Sequence, residues 1–300
     1  MARNNVGTPR FFINIPQYLK SKGTESSKVF NLNPMERNDY LSNSTAPVDS
    51  MLNEKSYVAF LGHIGGYLSI NNSNFDFDYS IDVNADQTVD DDGEVNSGSI
   101  SPEYAGFSIV SFDGTGINNI NVATQFGIGC VSIGNYYEMP HAPDMSLKLS
   151  YEYDGVKQTQ GIGGSTLTNS IYKGTPDWWM GGAWQLETAI GAEVPIRSNA
   201  RTGRRIWDIS FSFLTDEQIM PNLGTQNYEP DVITEDILTG SDFFSAVWNR
   251  CIGLPFIFQP DRDNNSVDQF AIARFDANSL QYTQVGHNIY NVAFKIRESW

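Results

Sequence analysis

Cysteine, histidine and positive charge are scarce in this chain, and each shortage removes a class of function. There are 2 cysteines and 3 histidines. Cys130 and Cys251 stand far apart in apolar contexts, while His63, His141 and His287 fall at strand ends or turns, so no set has the spacing of a zinc site. Two buried free thiols are the expectation, with a single disulfide as the alternative. Against 35 Asp and Glu stand 19 Lys and Arg, a formal net charge of −16, which argues against a nucleic-acid groove, because phosphate binding needs clustered cations. No apolar run nears the length of a membrane span, and Met1 to Arg10 is polar, without the apolar centre of a signal peptide. The expectation is synthesis in a cytoplasm and no membrane span.

Catalytic signatures are equally thin. No serine sits in a Gly-x-Ser-x-Gly elbow, and Gly161-Ile162-Gly163-Gly164-Ser165 lacks the lysine and the strand-to-helix context of a phosphate loop. Asp82-x-Asn84-x-Asp86 starts like a calcium loop but has Gln87 at its sixth position and Gly93 at its twelfth; Asp261-x-Asp263-x-Asn265 fails likewise at Ser266 and Ile272. A solvated acidic loop and a hairpin turn are the plainer readings. Paired carboxylates for glycoside hydrolysis are a spatial property that nothing in the sequence selects. The expectation is a protein that is no enzyme and takes no cofactor or metal.

What the chain does have is strands. Aromatics make up 13% and there are 26 glycines, while apolar repeats at helical spacing are rare, so the pattern predicts a mainly β fold of sandwich or barrel type. Tyr57 to Leu61 is a continuous apolar run. Phe75 to Val83, Met145 to Tyr153, Trp207 to Phe213 and Asn288 to Ile296 alternate apolar and polar residues, which puts Trp207, Ile209, Phe211 and Phe213 on one face, and Tyr290, Val292, Phe294 and Ile296 on another. One helix is predicted over 241–252, with Ser241 as N-cap, Asp242 in the first turn and Phe243, Phe244, Val247, Trp248 and Cys251 on its apolar stripe, ended by Gly253. Turn-rich composition divides the chain into an arm or edge segment at 1–53, a β-sandwich at 54–150 and a second β unit at 151–300.

Five aromatics stand out as contact residues. Trp178, Trp179 and Trp184 lie among glycines in Asp177-Trp178-Trp179-Met180-Gly181-Gly182-Ala183-Trp184, where they serve either as core plugs or as anchors of a protein interface or sugar platform. Tyr136 and Tyr137 join them in the glycan reading. The long connection Asp216 to Gly240 is a further candidate for a partner surface.

Taken in order, the strand Arg205 to Phe213, the helix from Ser241, the run Gly253-Leu254-Pro255-Phe256-Ile257-Phe258-Gln259-Pro260-Asp261 and the closing Asn288-Ile289-Tyr290-Asn291-Val292 resemble the hub domain of distal tail and minor tail proteins of tailed bacteriophages. Tyr57-Val58-Ala59-Phe60-Leu61-Gly62-His63, with Cys130 to Pro140, is similar to the galactose-binding-like jelly rolls that accompany such hubs. The resemblance implies a jelly-roll-like N-terminal sandwich followed by a β-barrel or split-sandwich hub with one packed α-helix, although the accessory sandwich here precedes the hub. It further implies a structural virion protein located in the phage tail, forming a homo-oligomeric, sixfold ring that joins the tail tube to baseplate or receptor-binding proteins. Closure of such a ring requires two different complementary patches on each subunit. A carbohydrate-binding tail adhesin and a capsid decoration or connector protein are the alternatives.

Overall fold

The computed structural model describes residues 6–24, 26–33, 41–45, 55–61, 67–72, 77–82, 88–90, 107–113, 120–124, 129–152, 156–170, 204–220, 241–265 and 269–299. Half of these residues are in strands and 16% are helical, so the fold is mainly β. In chain order the strands are β1 (Arg10–Asn14), β2 (Leu41–Thr45), β3 (Lys55–Leu61), β4 (Tyr67–Asn72), β5 (Phe77–Asp82), β6 (Thr88–Asp90), β7 (Phe107–Asp113), β8 (Ile120–Thr124) and β9 (Cys130–Glu138). They continue as β10 (Lys148–Glu152), β11 (Val156–Gln160), β12 (Thr166–Ser170), β13 (Arg204–Thr215), β14 (Phe256–Gln259), β15 (Ala271–Phe275), β16 (Gln281–Gly286) and β17 (Ile289–Glu298). The helices are short: α1 (Ile15–Ser21), α2 (Asp216–Ile219), and a π-helical turn Phe244–Trp248 running into α3 (Asn249–Cys251).

Ten strands form one antiparallel sheet in the order β10-β13-β17-β15-β14-β1-β9-β3-β7, with β16 added beside β17. A second sheet runs β2-β8-β4-β5-β6, and β11 pairs with β12 as a two-stranded ribbon. Strands from both sides of residue 150 share the large sheet, and β10 itself spans the boundary expected there. The segment 1–53, expected as an arm, supplies β1, which lies between β9 and β14.

The reason lies in two adjacent rings. Successive strand residues face opposite ways, and Phe11 and Phe12 are both wholly buried, so β1 is covered on both faces. Phe11 meets Phe243, Phe256, Phe258, Phe275 and Phe294 at centroid distances of 5.3 to 6.1 Å. Phe12 meets Tyr57 at 5.0 Å and Tyr136 at 5.6 Å. The strand also needs Gly134 on β9: a Cβ there would lie 1.9 Å from the Ile13 carbonyl oxygen and 2.8 Å from Ile15 Cγ1.

The sheet curls. On a flat sheet β13 and β14, three positions apart, would be separated by about 14 Å, yet the rings of Trp207 and Phe258 are 5.1 Å apart. The helical segment caps the curled part, with Phe243 stacked on Phe294 at 5.2 Å and Trp248 tilted against Phe275 at 4.8 Å. A helical segment stands where it was expected, but its main part, Phe244–Trp248, is π-helical instead of α-helical, and the cap shifts by one residue: Asp242 Oδ1 accepts the Ser245 N–H at 2.9 Å.

Two expected faces differ. Register between β13 and β17 slips between Phe211 and Leu214, so the extra residue of a bulge moves Leu214 into the core position and leaves Phe213 75% exposed. Along β10 the alternation carries little burial: among the described residues the strand is the last of the sheet, and Tyr151 is exposed, as is Met145 just ahead of it.

Candidate functional site

Trp178, Trp179 and Trp184, and the connection 221–240, lie outside the described residues. Tyr136 and Tyr137 end β9 and help line a cavity of about 650 Å³, together with Lys55, Asn135, Glu217 and Gln218. Neighbours take up most of the Tyr136 ring: it is 6% exposed, against Phe12, with the Arg10 guanidinium 5.6 Å and Lys55 Nζ 5.9 Å from its centroid. Tyr137 packs against Phe243 at 5.8 Å and its hydroxyl donates to the Gln218 carbonyl at 3.2 Å. Burial, with smaller contributions from Asp242 and Tyr282, pushes the Tyr137 phenol upward, so it stays neutral and donating.

Glu138 closes this end of the strand. Its carboxylate accepts from Arg10 Nε at 2.8 Å and from Arg262 Nη1, while the Arg262 N–H donates to the Thr8 carbonyl at 2.9 Å. Partial burial alone would raise its pKa, but the hydrogen bonds and charges of the two arginines outweigh that and hold it below the usual carboxylate range. A carboxylate ionised at neutral pH and capped by two guanidiniums acts as a strut, joining β1, β9 and the turn after β14. In that turn Asp261 Oδ1 accepts the Asp263 N–H at 3.1 Å, and Asn265 Oδ1 accepts from Gln259 Nε2 at 3.1 Å. The second calcium-like stretch thus spends oxygens on its own turn; the first falls largely outside the described residues. Among the described residues there is no group of three or more His, Cys, Asp or Glu able to hold a metal.

Both thiols are free and buried. Burial raises Cys130 and Cys251 well above the ordinary thiol range, which keeps them protonated and unreactive.

The other notable feature is the stretch Met145 to Leu167, which carries five of the exposed large apolar side chains among the described residues. Met145, Tyr151, Val156, Ile162 and Leu167 follow one another along β10 and the β11–β12 ribbon, and all are exposed. Phe213 lies near the start of this stretch: Asp144 Oδ2 accepts from Ser212 Oγ at 2.8 Å, which brings the residue before Met145 against the residue before Phe213. So many exposed apolar side chains in one stretch of chain make it a candidate contact segment. The ribbon was not legible because its strands carry no apolar alternation; the available signal was the Gly161-Ile162-Gly163-Gly164 turn between two Thr-containing runs.

Compared with known protein families, with curated proteins and with solved structures, the chain has no match.

Proposed function

We propose that this chain is a structural virion protein of a tailed bacteriophage, forming a ring at the distal end of the tail that joins the tail tube to baseplate or receptor-binding proteins. The observation that carries the reading is the run of exposed large apolar side chains Met145, Tyr151, Val156, Ile162 and Leu167 on and after β10, with Phe213 on β13 exposed as well; an assembly surface accounts for them. Support for the tail position comes from the order of strand, helix, Leu254-Pro255-Phe256 run and terminal strand, which resembles that of tail hubs. In the fold these pieces meet: β13, β17, β14 and the capping helix enclose the aromatic cluster around Phe11.

The test is direct imaging of the purified chain by electron microscopy, alone and with tail-tube and baseplate proteins. Closed sixfold rings are expected. A chain that stays monomeric with those partners, and instead binds glycans, overturns the reading in favour of an adhesin. Burial of the Tyr136 ring already weighs against a stacking platform at that position, since sugar stacking needs an open ring face.

A further inference from the structure

We propose that the outer face of β10, β13, β17 and β15 is a cationic docking surface for the acidic five-stranded sheet of a second copy of this chain. The inference rests on the assembly reading above and names one of its contacts.

Register gathers the cations. Side chains alternate between the two faces of a strand, and Arg274 of β15 stands directly opposite Arg297 of β17, with Ile206 and Ser150 continuing the row across β13 and β10. The next row sets Lys148, Asp208 and Lys295 side by side. Lys148 and Arg274 are exposed, and Lys295 and Arg297 are partly so.

Carboxylates compensate only part of this charge. Glu152 pairs with Arg297, and Asp276 with Lys295. Arg274 donates to two neutral acceptors, Ser299 Oγ at 3.1 Å and the Gly253 carbonyl at 3.0 Å; among the described residues no carboxylate pairs with it or with Lys148. Like charges directly opposite on neighbouring strands are destabilising, so Arg274 beside Arg297 is a pairing that folding alone does not favour. Carboxylates brought by another molecule turn that repulsion into attraction.

The matching surface lies in the same chain. From Ser56 to Leu147 the sequence has no Lys or Arg, and the strands of the second sheet carry Asp78, Asp82 and Asp90 with no cation. Two copies of a chain with formal net charge −16 repel each other in most orientations. The orientation that charge favours sets the Arg274 face of one copy against the acidic sheet of the other. Joining two different patches is a heterologous contact, the type from which rings are built.

The experiment uses the full chain. One variant reverses the face, Lys148→Glu with Arg274→Glu; a second reverses the sheet, Asp78→Lys with Asp82→Lys. Lys20→Glu with Lys22→Glu, on exposed lysines at the end of α1, makes the first variant's change in net charge elsewhere and is the control. By sedimentation, each reversed variant should self-associate at least about tenfold more weakly than the control, while circular dichroism shows it folded. Mixing the two should restore assembly, because each then meets opposite charge at both of its contacts, and added salt should weaken the parent assembly. If the sheet variant does not fold, Asp90→Lys takes its place in the mixture. A face variant that associates like the control, or a mixture that stays dissociated, overturns the proposal. Rings formed by the face variant overturn the contact and leave the tail-ring reading standing. A closed dimer that is lost in each variant and rescued by mixing supports the contact and overturns the ring, and a strictly monomeric parent overturns both.

Discussion

The Glu298 carboxylate is gripped by Arg205, accepting from its Nη2 at 3.1 Å, its Nε at 3.3 Å and its backbone N–H at 2.9 Å. Both side chains are buried, and Arg205 Nη2 also donates to the Phe270 carbonyl at 2.8 Å. One ion pair therefore joins the start of β13 to the end of β17 and to the residue before β15. Removing either partner strands a charge in a low-dielectric site.

Glu298→Ala is accordingly expected to destabilise the chain by about 3–5 kcal/mol, read as a lower urea midpoint. Arg205→Met combined with Glu298→Leu should recover most of that loss, because replacing both charges by apolar groups removes the desolvation penalty together with the attraction. If the pair of changes is as damaging as the single one, the network supports the fold by geometry and not by charge balance.

Gly134→Ala tests the closeness of β1 and β9. The added methyl has to displace the Ile13 carbonyl at the centre of the sheet, and strand separation there opens the aromatic packing on both faces of β1. We expect a loss of several kcal/mol, the scale of large core disruptions, seen as insoluble expression or a sharply lower Tm. Gly163→Ala, where a Cβ meets nothing within 4 Å, should express and melt as the parent does.

Most legible were strands with one buried face, and β3, whose unbroken apolar run Tyr57 to Leu61 reads as a strand although both its faces are buried. Val292, Phe294 and Ile296 on β17 alternate with the exposed Ala293 and half-buried Lys295, and the period of two is visible in the letters alone. β1 hid for the opposite reason: buried on both sides, Phe11 to Ile15 shows no alternation, is shorter than a helix turn pattern needs, and pairs with residues more than a hundred positions away on β9 and β14. β16, Gln281–Gly286, is largely exposed, so burial left no pattern in it to read. Phe213 was assigned to the wrong face because a bulge changes the count by one, and no residue before it announces the bulge. Of the site residues, Tyr136 and Tyr137 were visible as aromatics, but their neighbours Lys55, Glu217 and Gln218 come from two other parts of the chain that only the fold brings together.

Acidity should act through Glu138. Its native pKa lies below its ordinary value of 4.5, so the stabilisation it gives is fully present above the unfolded-state pKa and is lost as pH falls through the lowered native one. Glu138→Gln removes this dependence. Denaturant melts from pH 7 downward should show parent more stable than variant at neutral pH, with the gap narrowing only below the normal carboxylate range. Added salt should shrink the gap, since Arg262 is half exposed. A gap that widens on acidification contradicts the sign of the shift.

Phe213 is the last test, because it combines two features that stability alone does not favour. Its φ is 63°, a left-handed conformation that costs an L residue with a bulky side chain roughly 1–2 kcal/mol, and its 75% exposed ring recovers little by burial. What holds the backbone there is the bulge itself, with the Phe213 N–H donating to Asn291 Oδ1 at 3.2 Å. Asparagine tolerates this conformation better than phenylalanine, so Phe213→Asn should raise stability by about 0.5–1 kcal/mol and Tm by a few degrees. Glycine also relieves the strain but adds freedom to the unfolded chain, and Phe213→Gly should come out near the parent. Valine, β-branched and least tolerant of positive φ, should be the least stable of the series. The order Asn above Gly and Phe, with Val lowest, is measured by thermal melts of the unassembled chain. If Phe213→Asn melts below the parent instead, the ring is packed against something even in the single molecule, and the exposed end of β13 has to be redrawn.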